Sequence, residues 1–255
     1  MRFADSHCHL DAAGFDGDRT EVIARARAAG IGVMVVPAVT AASWPGLRDA
    51  CAMDAALNPA YGLHPMFLAE HRPEHLHELR DWLERERPCA IGECGLDFFM
   101  EGLDADAQRD YFDGQLQLAR EFGLPVIVHA RRAVEEVIHA LRRIGGLRGV
   151  IHSFSGSPEQ ARQLWDMGFL IGLGGPVTYP RANRLRRLVA QMPLEFLLLE
   201  TDAPDQPDAA IRGQRNEPAR LPAIAAAIAG LRGQSIDEIA AQTTANAQRL
   251  FGLRM

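Results

Sequence analysis

Lysine is missing from this chain: all 27 basic residues among its 255 are arginine. That absence excludes Schiff-base lysine chemistry, the phosphate-cradling lysine of a P-loop and a lysine-derived bridge between metal ions. Cysteine is scarce. Cys8, Cys51, Cys89 and Cys94 show no CxxC pair, so neither a disulfide framework nor a thiolate metal site is expected, and the thiols are read as reduced. No apolar run reaches the ~18 residues of a membrane span, and the N-terminus lacks the basic, apolar and small-residue order of a signal peptide. The expectation is a cytoplasmic protein with no membrane attachment and no obligatory protein partner. Positive charge is also in deficit. A formal net charge of −6 excludes a surface that binds polyanions everywhere, so any nucleic acid must be held locally.

What is present is apolar sequence of even texture. With 47% hydrophobic residues over 255 positions, the chain is expected to form one domain, 1–255, around a large core. Short β-branched runs alternate with longer amphipathic ones. Strands are expected at Phe3–His9, Gly32–Val39, Pro59–Leu63, Pro88–Glu93, Pro125–His129, Gly149–His152, Phe169–Leu173 and Phe196–Glu200. Helices are expected between them, at Arg19–Ala29, Ser43–Leu57, Pro73–Arg87, Asp104–Phe122, Ala133–Ile144, Ser157–Met167 and Arg181–Gln191, with two more at Pro218–Leu231 and Ser235–Leu250. Eight strands in alternation with helices of this length read as a (β/α)8 TIM barrel.

Active sites of such barrels lie at the C-terminal ends of the strands, and the potential metal donors of this sequence fall there. His7 and His9, two apart, share one face of an extended segment. Glu93 ends the fourth strand, His129 the fifth, His152 the sixth, and Asp202 follows the eighth. A lone histidine at a strand end is ordinarily a hydrogen-bonded structural group. Four histidines and two carboxylates at one edge of five strands instead suit one or two divalent ions. Glu93, between the two histidine pairs around the barrel, is the natural bridge, because a carboxylate can offer one oxygen to each ion. The donor set accepts Zn, Mn, Fe or Co, and Mg in excess.

Other polar residues are placed around these six. His64 ends the third strand as a substrate contact or a loop hydrogen bond, and Asp5 and Asp97 are positioned to orient histidines. His71, His75, His77 and His139 read as solvated on the outer helices, and Cys94 is assigned no chemistry.

The ordered motifs HCHL, GLHP, GECGLDFF, PVIVHARR, HSFSG, LLLETDAP, RNEP and TTANAQRLFGL resemble the TatD family of metal-dependent deoxyribonucleases, a branch of the amidohydrolase-like barrels, from Phe3 to Leu253. The resemblance implies that His7, His9, Glu93 and Asp202 hold one ion and that Glu93, His129 and His152 hold the other, with Asp202 helping to activate a water. Cys94 stands where an aliphatic residue is usual and Ser153 where cysteine is common. The loop 205–214 is less like the commonest members.

The reaction expected from this is hydrolysis of a DNA phosphodiester by a metal-activated water, at a chain end or on single-stranded or frayed DNA, with Asp202 and Glu93 as the catalytic carboxylates. Arg131, Arg132, Arg181, Arg212 and Arg215, all after barrel strands, can clamp phosphates. Phe98, Phe99, Phe154 and Tyr179 can stack on bases. The alternative is an amidohydrolase acting on a cyclic amide, ester or lactone with the same metal centre; a scaffold without turnover would lack a ligand, and none is missing.

Overall fold

The computed structural model describes residues 2–253. Eight strands lie in one sheet in the order β1 to β8. They are β1 (Phe3–Asp5), β2 (Ile31–Pro37), β3 (Leu57–Tyr61), β4 (Ala90–Asp97), β5 (Val126–Arg131), β6 (Gly149–Ile151), β7 (Leu170–Leu173) and β8 (Leu197–Leu199). The strand pairs whose register is resolved are parallel. Parallel strands need a crossover, and helices supply it: α1 (Arg19–Ala28), α2 (Trp44–Cys51), α3 (Glu74–Glu86), α4 (Ala105–Phe122), α5 (Val134–Ile144), α6 (Pro158–Asp166) and α7 (Asn183–Gln191), followed by α8 (Leu221–Arg232) and α9 (Ile236–Phe251). The result is a nearly closed (β/α)8 barrel.

The helices begin and end where their capping chemistry dictates. Asp104 accepts from the amides of Asp106 and Ala107 to start α4, and Gly123, at φ 63°, ends it. Ser157 with Gln160 and Ser235 with Glu238 form reciprocal capping boxes at α6 and α9. Each satisfies two amides that the first helical turn leaves without partners. None of the helices is long and apolar enough to cross a membrane, among the described residues.

By its internal contacts the chain divides into two compact units, each discontinuous in sequence. One comprises Met1–Val36, Ala50–Asn58 and Ile171–Met255; the other comprises Pro37–Asp49 and Pro59–Leu170. The first unit holds β1, nearly all of β2, most of β7, and β8, and in it Ser6 N–H donates to Leu199 O at 2.9 Å, tying the end of β1 to the end of β8. The second unit holds most of β3 and all of β4, β5 and β6.

Two boundaries differ from the sequence reading in ways that matter. The second helix stops at Cys51 rather than Leu57, because Asp54 turns the chain: its side chain accepts from Ala56 N–H at 2.8 Å and its carbonyl from Leu57 N–H at 3.0 Å. Strand β1 ends at Asp5, so His7 and His9 lie in the segment beyond it rather than on the strand. That segment is still fixed, since Cys8 N–H donates to Val35 O at 3.1 Å.

β4 is longer than the sequence suggested and irregular where it counts. Its register against β5 slips between Ile91 and Cys94, and Glu93 sits in the slip, its amide donating to Ala38 O at 2.9 Å. A bulge of this kind re-aims a side chain. Two residues later Gly95 stands opposite His129. Its φ is +140°, and a Cβ there would lie 2.0 Å from the carbonyl oxygen of His129. Only glycine allows β4 and β5 to approach this closely. Gly95→Ala is expected to destabilise the protein by several kcal/mol, through backbone clash and strain together, and the yield of folded protein and its thermal midpoint measure it.

Candidate metal centre

In the first unit, His7 and His9 are held by backbone hydrogen bonds on both sides: His9 N–H donates to Ala203 O at 2.7 Å and Asp202 N–H to His7 O at 2.9 Å. The exchange places three donor atoms together. His7 Nε2 and His9 Nε2 are 3.1 Å apart, and Asp202 Oδ1 is 3.5 Å from the first and 3.6 Å from the second. Asp202 adopts φ 56°, a left-handed backbone unusual for a residue with a side chain, and its Oδ2 accepts from the Gln206 amide. Beneath them Asp5 is fully buried. Its carboxylate accepts from Thr201 Oγ1 at 2.6 Å, Thr201 N–H at 3.0 Å and His7 N–H at 3.3 Å. Burial outweighs these bonds and pushes its pKa up to about 7. Asp5 orients the backbone of His7 rather than an imidazole ring.

In the second unit three imidazoles converge on one carboxylate oxygen. Glu93 Oε1 is 2.9 Å from His64 Nε2, 3.1 Å from His129 Nδ1 and 2.9 Å from His152 Nε2. His129 Nδ1 and His152 Nε2 are 3.3 Å apart. The tautomers can be assigned from the other ring nitrogens. His129 Nε2 faces Asp97 Oδ2 at 2.9 Å, so it carries the proton and Nδ1 turns a lone pair inward. His64 Nδ1 accepts from Met66 N–H at 3.1 Å, so its proton is on Nε2 and is donated to Glu93. His129 therefore presents a ligand atom, whereas His64 steadies the carboxylate.

These geometries fit a cation. Ligands ~2.1 Å from one ion in tetrahedral array stand ~3.4 Å apart, and the separations within each set, 2.9 to 3.6 Å, bracket that value. Electrostatics agrees. Burial opposes charge on His129, yet its bonds to Asp97 and Glu93 raise its pKa, so the pocket favours a positive charge there. Burial likewise works against Asp97, but His129 and the amides of Met100 and Phe99 hold it at about 2. An ionised carboxylate behind a histidine fixes the ring and strengthens it as a ligand.

Two side chains invisible to the motif reading hold this second set. Gln115 accepts from Leu63 N–H at 2.7 Å and donates to Leu63 O at 3.1 Å. Gln108 treats Asp97 alike, at 2.8 and 3.0 Å. Both are buried on one face of α4, and each satisfies backbone groups near a strand's end, at Leu63 just beyond β3 and at Asp97, the last residue of β4. The signal lay in the stripe 108, 112, 115, 119, where two amides interrupt an otherwise apolar face. Another residue was misplaced: His75 is buried, with Nδ1 accepting from Arg72 N–H at 3.2 Å. Half-buried His71 bonds through Nε2 to His64 O at 2.9 Å and packs edge-on against Tyr111. His77 and His139 are exposed as expected.

The arginines divide. Arg131 and Arg132 stack on Phe99, their guanidinium carbons 3.7 and 4.6 Å from the ring centroid, and Phe99 remains 42% exposed. Arg181 and Arg212 are exposed and form no ion pair among the described residues. Arg215 is committed elsewhere, bidentate to Asp18 at 2.6 and 2.7 Å and bonded to Gly14 O. Phe154 is core, Phe98 lies under Arg109, and Tyr179 donates to Pro207 O at 2.9 Å. The thiols of Cys8 and Cys94 are pushed up by burial and stay neutral.

Clustered imidazole and carboxylate donors on and just beyond parallel strands suit a metal-dependent hydrolase of the barrel class. The chain belongs to the family described as TatD related DNase, whose model matches residues 4–252. It is 41% identical to the uncharacterized metal-dependent hydrolase YjjV of Escherichia coli over 99% of this chain and 98% of that protein. It is 37% identical to a Pantoea ananatis protein named 3'-5' ssDNA/RNA exonuclease TatD, over 98% of this chain and 99% of that one. The crystal structure of YjjV superposes with a TM-score of 0.95 at 39% identity, covering 99% of each chain. An organophosphorus hydrolase from Deinococcus radiodurans shares the fold, with a TM-score of 0.68 at 16% identity, covering 98% of this chain and 93% of that one.

Gln115→Met would preserve the helix face but leave the amide and carbonyl of Leu63 buried without partners, costing about 2–4 kcal/mol. Gln115→Glu should cost less, because a buried carboxyl keeps its proton and can donate as the amide does. Denaturant titration of the two variants checks the order.

Proposed function

We propose that this metal-dependent hydrolase is a deoxyribonuclease that removes nucleotides from single-stranded or frayed DNA ends, and that its two units act as one catalytic domain. The observation that carries the reading is Phe99, left exposed between two guanidinium groups, two residues beyond the Asp97 that fixes His129. An exposed ring flanked by cations offers a nucleic acid a stacking face together with phosphate partners. The name of the Pantoea relative points the same way.

In this reading His7, His9, Glu93 and Asp202 hold one divalent ion and Glu93, His129 and His152 the other. His7, His9, His152 and Asp202 lie beyond the ends of β1, β6 and β8, and Glu93 and His129 lie within β4 and β5. A divalent ion supplies Lewis acidity and lowers the pKa of a water it binds from about 16 toward about 7. The chain does the rest. Asp202, whose Oδ2 is held by the Gln206 amide, would hold the ion through Oδ1 and, as the nearest carboxylate, would take up the proton that the water gives up. Glu93 keeps its carboxylate in place through the Nε2–H of His64. Arg131 and Arg132 neutralise the phosphoryl oxygens as charge accumulates on them. The cleaved P–O bond leaves a phosphate on one fragment and a hydroxyl on the other.

Metal-stripped protein given Mg, Mn, Co or Zn one at a time should shorten an end-labelled single-stranded oligonucleotide, and the product ladder gives the polarity. Asp202→Asn should keep the fold and most bound metal but lose turnover by about 10²-fold or more; activity equal to wild type would remove Asp202 as the proton acceptor. Glu93→Ala should lower the metal content measured by elemental analysis. Failure to cleave DNA with any ion, despite bound metal, would favour hydrolysis of a cyclic amide, ester or lactone.

A further inference from the structure

Among the described residues five large apolar side chains are exposed: Met53, Met66, Phe67, Phe99 and Met100. Apolar residues scattered singly over a surface are ordinary, whereas clustered ones mark a binding face. Four of the five are clustered. Met66 and Phe67 stand on the turn Pro65–Glu70 that follows β3, and Phe99 and Met100 on the loop that follows β4. β3 and β4 are parallel neighbours, so the two pairs leave the sheet at the same end, and all four residues belong to the second unit. Met53 precedes β3 and belongs to the first unit.

A chain of contacts runs from one pair to the other through the imidazoles. The Phe67 ring meets the His64 ring edge-on at 5.8 Å, and the His64 ring lies 4.6 Å from that of His129, centroid to centroid. His129 is bonded in turn to Asp97, whose Oδ1 accepts from the amides of Phe99 and Met100 at 2.8 and 3.0 Å. The other pair is as firmly held. Met66 N–H donates to His64 Nδ1 and Phe67 N–H to His64 O, each at 3.1 Å, and His71 Nε2 bonds to the same carbonyl at 2.9 Å. Neither loop has to be ordered when a ligand arrives, which lowers the cost of binding one.

Charge says what covers these side chains. Arg131 and Arg132 lie on Phe99, whereas two exposed carboxylates, Glu70 at the end of the first turn and Glu101 after Met100, border the apolar pairs. A phosphate backbone is drawn to the arginines and repelled by the acids. The apolar side chains are thereby left to the bases.

We infer that Met66 and Phe67, with Phe99 and Met100, form a base-holding rim on which the unpaired bases beside the cleaved bond stack. The inference rests on the nuclease reading and adds to it what is recognised. Every base has a π face, so the rim accepts any sequence. A base inside a duplex gives its faces to its neighbours in the stack, so the rim selects single strands. Phe67 is a positioning residue: it touches His64 and the base, not the reacting atoms.

The test is binding of two fluorescein-labelled phosphorothioate strands, which resist hydrolysis, to the metal-loaded protein: an oligothymidylate of about 15 nucleotides and an abasic strand with the same linkages. Cleavage of ordinary oligothymidylate is measured alongside. Loss of one stacking ring weakens binding about tenfold. Phe67→Ala should therefore bind the oligothymidylate about tenfold more weakly, leave the affinity for the abasic strand unchanged, and leave the slope of log affinity against log salt unchanged, because no phosphate contact is removed. Phe67→Trp should restore binding, and Met53→Ala should behave as wild type. Equal affinity of wild type and Phe67→Ala for the oligothymidylate, or equal weakening on both strands, overturns the rim even if wild type cleaves DNA. A wild-type dimer that Phe67→Ala dissociates also overturns it, since the face would then serve a second copy of the chain. Base-dependent binding that Phe67→Ala abolishes, without cleavage by any ion, upholds the rim and removes the nuclease reading. Wild type that neither binds nor cleaves overturns both.

Discussion

The structure depends on forcing lone pairs together. In each unit, imidazole nitrogens and a carboxylate oxygen lie within about a hydrogen-bond length of one another, and in the second unit the tautomer of His129, fixed by Asp97, turns a lone pair toward Glu93 instead of a proton. Buried donors so arranged repel unless they share a positive charge. The pKa of His129 is raised against burial by its bonds to Asp97 and Glu93, so positive charge is favoured at this point. A divalent cation meets that demand, because one charge centre satisfies every lone pair in the set. Gln108, Gln115 and Asp5 have a common role: each is a buried side chain that fixes backbone next to the donor residues.

The barrel was legible because a parallel sheet buried on both faces writes its strands as short β-branched runs, and its crossover helices write theirs at period 3.6. Helices capped by Ser157, Ser235 and Asp104 fell within a residue or two of where the sequence placed them. The donors were legible for a related reason: polar residues that terminate apolar runs have few structural excuses. What escaped were contacts between side chains and backbone across long sequence separations. Gln115 serves Leu63 from 52 positions away, and nothing in a local window distinguishes that glutamine from a solvated one. His75 was misread for the same reason. Its place beside acidic and basic neighbours suggests an exposed helix, but the ring faces inward and caps the amide of Arg72. Arg215 looked free because its partner, Asp18, lies at the other end of the chain.

The exclusive use of arginine has a structural consequence beyond the reactions that lysine's absence excludes. Guanidinium is planar, so it can lie on a ring and still offer its edge to an oxygen. Arg131 and Arg132 on Phe99, Arg215 on Phe15 and Arg85 on Trp82 all use the flat face. The pairs differ in what the edge does. Arg215 spends its edge on Asp18, so its stack is a fastening of the α1 region, whereas Arg131 and Arg132 form no ion pair among the described residues, so theirs is a surface available to a ligand. The same residue type thus reads as structure or as recognition according to whether an acid occupies its edge.

Backbone strain falls on the same places. Among the non-glycine residues with positive φ, Arg132 follows β5 directly, Ser153 follows His152, and Asp202 lies three residues beyond β8. Each left-handed residue of this kind costs of order 1 kcal/mol or more and persists only where its surroundings over-determine it. Here the surroundings are the packed strand ends: Asp202 N–H is bonded to His7 O, and His152 N–H to Val128 O. A strand that continued straight would carry its last side chain alternately toward core and solvent. Glycine would relieve the strain at 132 and 153 but would also free the loop to move. A side chain at a strained φ makes the turn stiff, and a stiff turn keeps donor atoms within the few tenths of an ångström that separate a metal site from a cluster of histidines.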